Sequence, residues 1–165
     1  MSEFEANRHL TPVFTQVAPT LMIRPIIETA DWDRDKDELI KLRTLVFVEE
    51  QNVPVSLEVD GLDSDCMHVK ALMGDCYVGT GRLLLNGFIG RMCVLQNYRN
   101  QGIGRGMLEN LIQQAREAGC PRVLLNAQSY AIPFYLKNGF IIDSEEFIEA
   151  GILHQRMVLN SSKYL

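Results

Sequence analysis

Arg99-Asn100-Gln101-Gly102-Ile103-Gly104-Arg105-Gly106 decides the fold of this 165-residue chain, because it stands between a strand-like run and an amphipathic helix. Downstream, Ile103, Met107, Leu108, Leu111, Ile112 and Ala115 recur at helical spacing and give one apolar face. Gly119 and Pro121 close that helix, one as a C-terminal cap and the other as a barrier to extension. Closely spaced glycines let backbone N–H groups point one way without obstruction by Cβ. The helix adds its unpaired first-turn donors and the positive end of its dipole, which together make a seat for pyrophosphate. Arg99 and Arg105 would add charge-assisted bonds of roughly 1.5–3 kcal/mol each. A tight turn with no ligand is the plain alternative, since one glycine-rich turn is weak evidence by itself.

Two other phosphate-binding readings fail on detail. A Walker loop needs Gly-Lys-Ser/Thr, which is absent, and the dinucleotide fingerprint needs a third glycine where Met107 stands. That fingerprint also opens a βαβ unit, whereas this turn follows hairpins. Gly74-Asp75 and Asn86-Gly87 are two-residue turn signals, the second of type I′ with both central φ positive. They join strands expected at 67–73, 76–85 and 88–94, which must therefore be antiparallel. Around this meander the pattern predicts an edge strand at 21–28, a helix over 31–50, a buried strand at 123–127 and a short helix at 131–138. Strands at 141–144 and 153–159 finish the sheet. The order βαβββαβαββ is a mixed α/β layer fold, a largely antiparallel sheet flanked by helices. Residues 1–20 lack a period and read as an N-terminal extension to a single domain over 21–165.

Composition narrows the function. A net charge of −5 disfavours a nucleic-acid binder. The longest apolar runs, such as Leu83-Leu84-Leu85, are too short to cross a bilayer, and the acidic opening Met1-Ser2-Glu3-Phe4-Glu5 does not read as a signal peptide. A cytoplasmic setting is the default expectation. Cys66, Cys76, Cys93 and Cys120 form no CxxC pair, so buried free thiols are expected and no metal. Residues 76–108 hold Arg82, Arg91, Arg99 and Arg105 and no acid. Residues 49–65 invert this, with Glu49, Glu50, Glu58, Asp60, Asp63 and Asp65 and no base. A solvated loop is the ordinary meaning of such an acidic run. One anion-friendly and one cation-friendly segment nonetheless suit an enzyme that joins an anionic cofactor to an amine.

Arg99-Asn100-Gln101-Gly102-Ile103-Gly104 resembles the Q/R-x-x-G-x-G/A element of the GNAT acetyltransferases, preceded by the strand Ile89-Gly90-Arg91-Met92-Cys93-Val94. Phe134-Tyr135-Leu136-Lys137-Asn138-Gly139-Phe140 is similar to the family's second signature, Tyr-x-x-x-Gly-Phe. The resemblance implies a sheet splayed where acetyl-CoA enters, with pyrophosphate on residues 99–105. It implies pantetheine pairing with backbone groups of Met92, Cys93 and Val94 at a bulged strand end, and Gln128 facing the cofactor. Asn100 replaces the glycine common in relatives, a mild departure because Asn tolerates the left-handed region. Relatives often dimerise, which leaves monomer and homodimer open.

The reaction so implied is direct attack of an amine, a small molecule's or a protein's, on the thioester. It needs a proton donor for the departing thiolate, and the phenol of Tyr135 suits a thiol of pKa about 8.5. The alternative is that Tyr135 only packs its ring. Many relatives place a glutamate base on the fourth strand; residues 88–94 hold none. Glu58 and Asp60 are the candidate catalytic acids at the acceptor side, each a solvated loop acid in the plainer reading. The runs Val46-Phe47-Val48-Glu49-Glu50-Gln51-Asn52-Val53-Pro54 and Phe147-Ile148-Glu149-Ala150-Gly151-Ile152-Leu153-His154 resemble a subgroup whose acceptors are mostly unassigned. His154 is a weaker site candidate, His68 reads as a satisfied semi-buried side chain, and Cys93 lacks an adjacent activating group. A non-catalytic acyl-CoA sensor is the alternative of a different class.

Overall fold

The computed structural model describes residues 24–159, so the expected extension over 1–20 and the start of the expected first strand lie outside the described residues. Within them the chain runs β1 (Ile26–Ala30), α1 (Trp32–Arg43), α2 (Val55–Glu58), β2 (Met67–Met73), β3 (Cys76–Leu83) and β4 (Phe88–Val94). It continues with α3 (Ile103–Glu117), β5 (Leu124–Gln128), α4 (Ile132–Lys137), β6 (Phe140–Ile142), β7 (Phe147–Glu149) and β8 (Ile152–Leu159). The strands form one sheet in the order β1-β2-β3-β4-β5-β8-β6, with β7 also on β8. Every pairing is antiparallel except β4 with β5. Among the described residues no helix is long and apolar enough to cross a membrane.

The helices cover both faces. The α3 face of Ile103, Met107, Leu108, Leu111 and Ala115 is buried against Val69, Val78, Leu83 and Leu125 of the sheet. Side chains alternate along a strand, so Cys93 points the other way, where it packs with Leu42 and Val46 from the segment that α1 begins. The end of α3 is set by Gly119 at φ +69, where Cys120 N donates to Ala115 O and Gly119 N to Arg116 O.

Three local expectations are corrected. The helix predicted over 31–50 ends as an α-helix at Arg43 and continues as a π-helical stretch, Thr44–Glu50, whose wider turn runs into the site described below. The turn at Asn86-Gly87 is not type I′. Leu84 O accepts from Gly87 N, and only Gly87 has positive φ, so Leu85-Asn86-Gly87 is a three-residue loop. Finally, Phe147–Glu149 is a strand paired with β8 through Ala150 and Gly151, both at positive φ. Its short length and an alanine in a glycine-like position concealed it.

The splayed sheet is present. β4 and β5 pair only at Phe88↔Leu124 and Ile89↔Leu125, then part. A bulge bends β4 at that point: Thr80 faces Cys93 and Arg82 faces Gly90, so Gly81 stands opposite the two residues Arg91 and Met92. Arg91 takes φ +53 there, and a Cβ at Gly81 would come within 2.8 Å of the Met92 side chain. The missing side chain is what gives Met92 room to enter the split.

Candidate active site

Two cavities meet in the gap between β4 and β5. The larger, about 650 Å³, follows the exposed end of β4 and the glycine turn. Met92, Cys93 and Val94 form one wall, and Arg99, Asn100, Gly102, Gly104 and Arg105 line its far end with Tyr98 and Lys137. Among the described residues no aspartate or glutamate lines it, while two arginines and a lysine do. Asn100 at φ +61 and Gly102 at φ +82 turn the chain sharply into α3, so the unpaired first N–H groups of a 15-residue helix lie at this wall. A Cβ on Gly102 would meet nothing within 4 Å, and one on Gly104 only Phe134 at 3.7 Å. At these two positions the backbone is open.

The other residues expected at the cofactor differ among themselves. Ile103 buries its side chain in the core, and Gln101 turns back to donate to Asn97 O at 3.2 Å; neither lines the cavity. Gln128 lies on the other side of the split, donating to Gln51 Oε1 at 2.9 Å. Arg99 donates Nε to Val94 O at 2.8 Å and both terminal nitrogens to Glu50 at 2.7 Å, which holds the Glu50 carboxyl below its usual range. Arg105 pairs one turn along α3 with Glu109 at 2.8 Å. Tyr98 and Lys137 were missed from sequence. They come together from separate elements, and only their basic or aromatic type hinted at them.

The smaller cavity, about 270 Å³, lies behind the first. Phe47, Leu57, Phe88 and Ile152 supply apolar surface, and Glu58, Arg91, Glu149 and His154 supply polar groups. Met92, Tyr130, Ala131 and Tyr135 line both cavities. Tyr135 is half-buried, its ring edge-on to Phe134 and Phe140 at 4.9 and 5.7 Å. Its hydroxyl points to Met92 Sδ at 3.9 Å, a weak acceptor, and desolvation pushes its pKa up. The phenol is thus protonated, poorly engaged, and open to whatever occupies the junction.

Much of the acidic segment is not the solvated loop that its charge run suggests. It folds back on the arginines. Glu58, only 3% exposed, gives one oxygen to Arg43 Nε and the other to Arg91 Nε. Asp60 pairs with Arg82 and Arg91, and Asp63 with Arg43 and Arg82 at 2.7 and 2.8 Å. Hydrogen bonds from Arg82 hold Asp60 well below the usual carboxylate range. At Asp63, burial opposes ionisation but the two guanidinium groups outweigh it. The anion-friendly and cation-friendly segments therefore largely neutralise each other; of the four arginines, Arg99 and Arg105 line the larger cavity, each also paired with a glutamate. Arg43, on α1, completes this network, and nothing in its local sequence marked it.

The remaining candidates are plain. His68 is buried, stacked on Trp32 at 4.5 Å, and hydrogen-bonded to Asp63 O at 2.8 Å; burial lowers its pKa. Cys93 is buried and its thiol is pushed up to about 12, which leaves no thiolate to act as a nucleophile near neutral pH. His154 does line the smaller cavity, with Nδ1 against Ile152 O at 2.8 Å and its ring stacked on Phe147.

Known proteins share this arrangement. Residues 39–161 match the acetyltransferase (GNAT) domain. The uncharacterized N-acetyltransferase YjcF of Bacillus subtilis is 38% identical over 121 residues, spanning 71% of this chain and 86% of that protein. An acyl-CoA N-acyltransferase from Pseudomonas aeruginosa superposes with a TM-score of 0.73 at 30% identity, over 83% of this chain and 100% of that one. Escherichia coli ElaA superposes with a TM-score of 0.74 at 27% identity, again over 83% and 100%. The domain match, the sequence relatives and the split sheet agree: this chain belongs to the GNAT acetyltransferases and is an acyltransferase.

Proposed function

We propose that the protein moves an acetyl group from acetyl-CoA to a primary amine by direct attack, with Tyr135 as general acid. The observation that carries this reading is that Tyr135 lines both cavities with a hydroxyl whose only hydrogen-bond partner among the described residues is a thioether. Acetyl-CoA fits the larger cavity, its pyrophosphate at the start of α3 with Arg99 and Arg105, and its pantetheine arm along Met92–Val94. A streptothricin acetyltransferase of the same fold is known with acetyl coenzyme A bound. The thioester then lies at the junction, where Tyr135 faces its sulfur and the amine comes from the smaller cavity.

In that arrangement the amine nitrogen forms a bond to the acyl carbon, and the carbon–sulfur bond breaks. The nitrogen gives up a proton on the acceptor side, while the thiolate takes one from Tyr135. Desolvation, by keeping the phenol protonated, favours donor over phenolate. Releasing a proton from an alkylammonium of pKa about 10.4 at pH 7 costs about 4.6 kcal/mol, so the acceptor side needs a group that can take it. Glu58 has both oxygens engaged by arginines, and Asp60 is held by Arg82 and Arg91, so both act in this reading by fixing the cavity wall.

The experiment is incubation with acetyl-CoA and a broad amine panel, following thiol release and the mass of the acetylated amine. Coupled CoA release and N-acetyl product are expected for at least one primary amine. Tight acetyl-CoA binding with no transfer to any of them would overturn the reading.

A further inference from the structure

With Glu58 and Asp60 tied to arginines, the smaller cavity holds one carboxylate that no base answers. Glu149 ends β7 opposite Ile152, at the turn where Ala150 and Gly151 have φ of +51 and +76. Asn126 Nδ2 donates to its Oε2 at 3.2 Å and fixes the carboxylate; among the described residues no lysine or arginine pairs with it, and Oε1 has no partner. Among the described residues the lining acids are Glu58 and Glu149, and the lining basic groups are the His154 imidazole and Arg91, whose guanidinium is already spent on Leu57 O, Glu58 and Asp60. One negative charge remains, on a solvent-exposed carboxylate that lines a cavity whose walls include Phe47, Leu57, Phe88 and Ile152.

We propose that the acceptor is a compact primary amine with one positive charge and an apolar body. Its ammonium docks on Glu149, and its body lies against Phe47, Leu57, Phe88 and Ile152. This deepens the acetyl-transfer reading and rests on it. At about 270 Å³ the cavity lies just below the roughly 300–1,000 Å³ usual for small-molecule pockets, which suits a compact acceptor. A polyamine would bring a second ammonium to a cavity with a single unanswered acid. An amino acid would bring a carboxylate that finds Arg91 occupied and Glu149 repelling it. An amino sugar would lay part of its hydroxyl-bearing surface on Phe47, Leu57, Phe88 and Ile152, where hydroxyls lose water without gaining partners. A monoamine with an aromatic or branched aliphatic body matches both those side chains and the unanswered carboxylate.

Calorimetric titration of the CoA-saturated full chain tests this, with 2-phenylethylamine as probe and 2-phenylethanol, spermidine, glucosamine and lysine as comparators. The probe should bind at least tenfold more tightly than each comparator. Glu149→Gln keeps an oxygen to accept from Asn126 but removes the charge. It should weaken the probe about tenfold, raise the acceptor KM more than it lowers kcat, and leave CoA affinity and Tm in place. Tighter binding of spermidine, glucosamine or lysine, or unchanged probe affinity in Glu149→Gln, overturns the proposal. The two readings fail separately. Glu149-dependent binding without thiol release sinks the transfer reaction and leaves the docking site standing, whereas transfer to a different amine class with no Glu149 dependence sinks the docking site alone.

Discussion

Replacing Tyr135 with Phe removes one oxygen and keeps the ring. The ring holds its place through edge-on contacts with Phe134 and Phe140 at 4.9 and 5.7 Å, which Phe preserves. Among the described residues the hydroxyl's only hydrogen-bond contact is Met92 Sδ at 3.9 Å, too long for a strong bond, so its loss should change stability by less than about 0.5 kcal/mol. Chemistry should respond quite differently. Positioned general acids contribute about 10²–10⁴-fold, which is about 2.7–5.4 kcal/mol of barrier at 1.36 kcal/mol per decade. The expected variant therefore melts like the wild type, binds CoA like the wild type, and transfers acetyl groups at least a hundredfold more slowly. Single-turnover thiol release at saturating acetyl-CoA is the appropriate assay, because slow product release could hide a loss in steady state. Burial also raises the phenol's pKa above its ordinary value of about 10, so ionisation of Tyr135 should cause no fall in rate below about pH 10. Single-turnover rates within a few-fold of wild type would show that Tyr135 only packs.

Gly102→Val should weaken CoA at least tenfold in a calorimetric titration, because φ +82 strains a β-branched residue while the open surroundings spare the fold; an unchanged Kd would remove the glycine-turn site. Arg43→Met should cost about 3–5 kcal/mol in urea unfolding, since it strips Glu58 and Asp63 of a buried partner, and a loss under 1 kcal/mol would mean that the network carries little stability. Asp60 and Asp63 have folded pKa values below their unfolded value of about 3.9, so their stabilisation is complete above about pH 5 and is lost as pH falls through and below that value. Melting curves should accordingly drop below about pH 4, and a Tm flat from pH 6 to 2 would contradict that linkage.

Local chemistry was enough for the parts that are local. The 3.6-residue repeat from Ile103 to Ala115 and the glycines on either side specify α3 and the turn before it, because helix periodicity and φ > 0 are properties of neighbouring residues. The same holds for the β2–β3–β4 meander, although the two-residue type I′ turn expected at Asn86-Gly87 is a three-residue loop. Two motifs in the right order also pointed to the family and placed Tyr135 in the site. Partnership was not legible. Arg82 and Arg91 looked anion-friendly because they share an acid-free stretch with Arg99, yet they are strand residues that meet an acidic segment some twenty to thirty residues earlier. Which charges neutralise each other depends on long-range strand order and on the bulge at Arg91, neither of which has a sequence period. Glu149 shows the converse: it lies in a short apolar run that read as connection, and became the one unanswered carboxylate of the cavity only when β7 paired with β8 and every other lining acid had found an arginine.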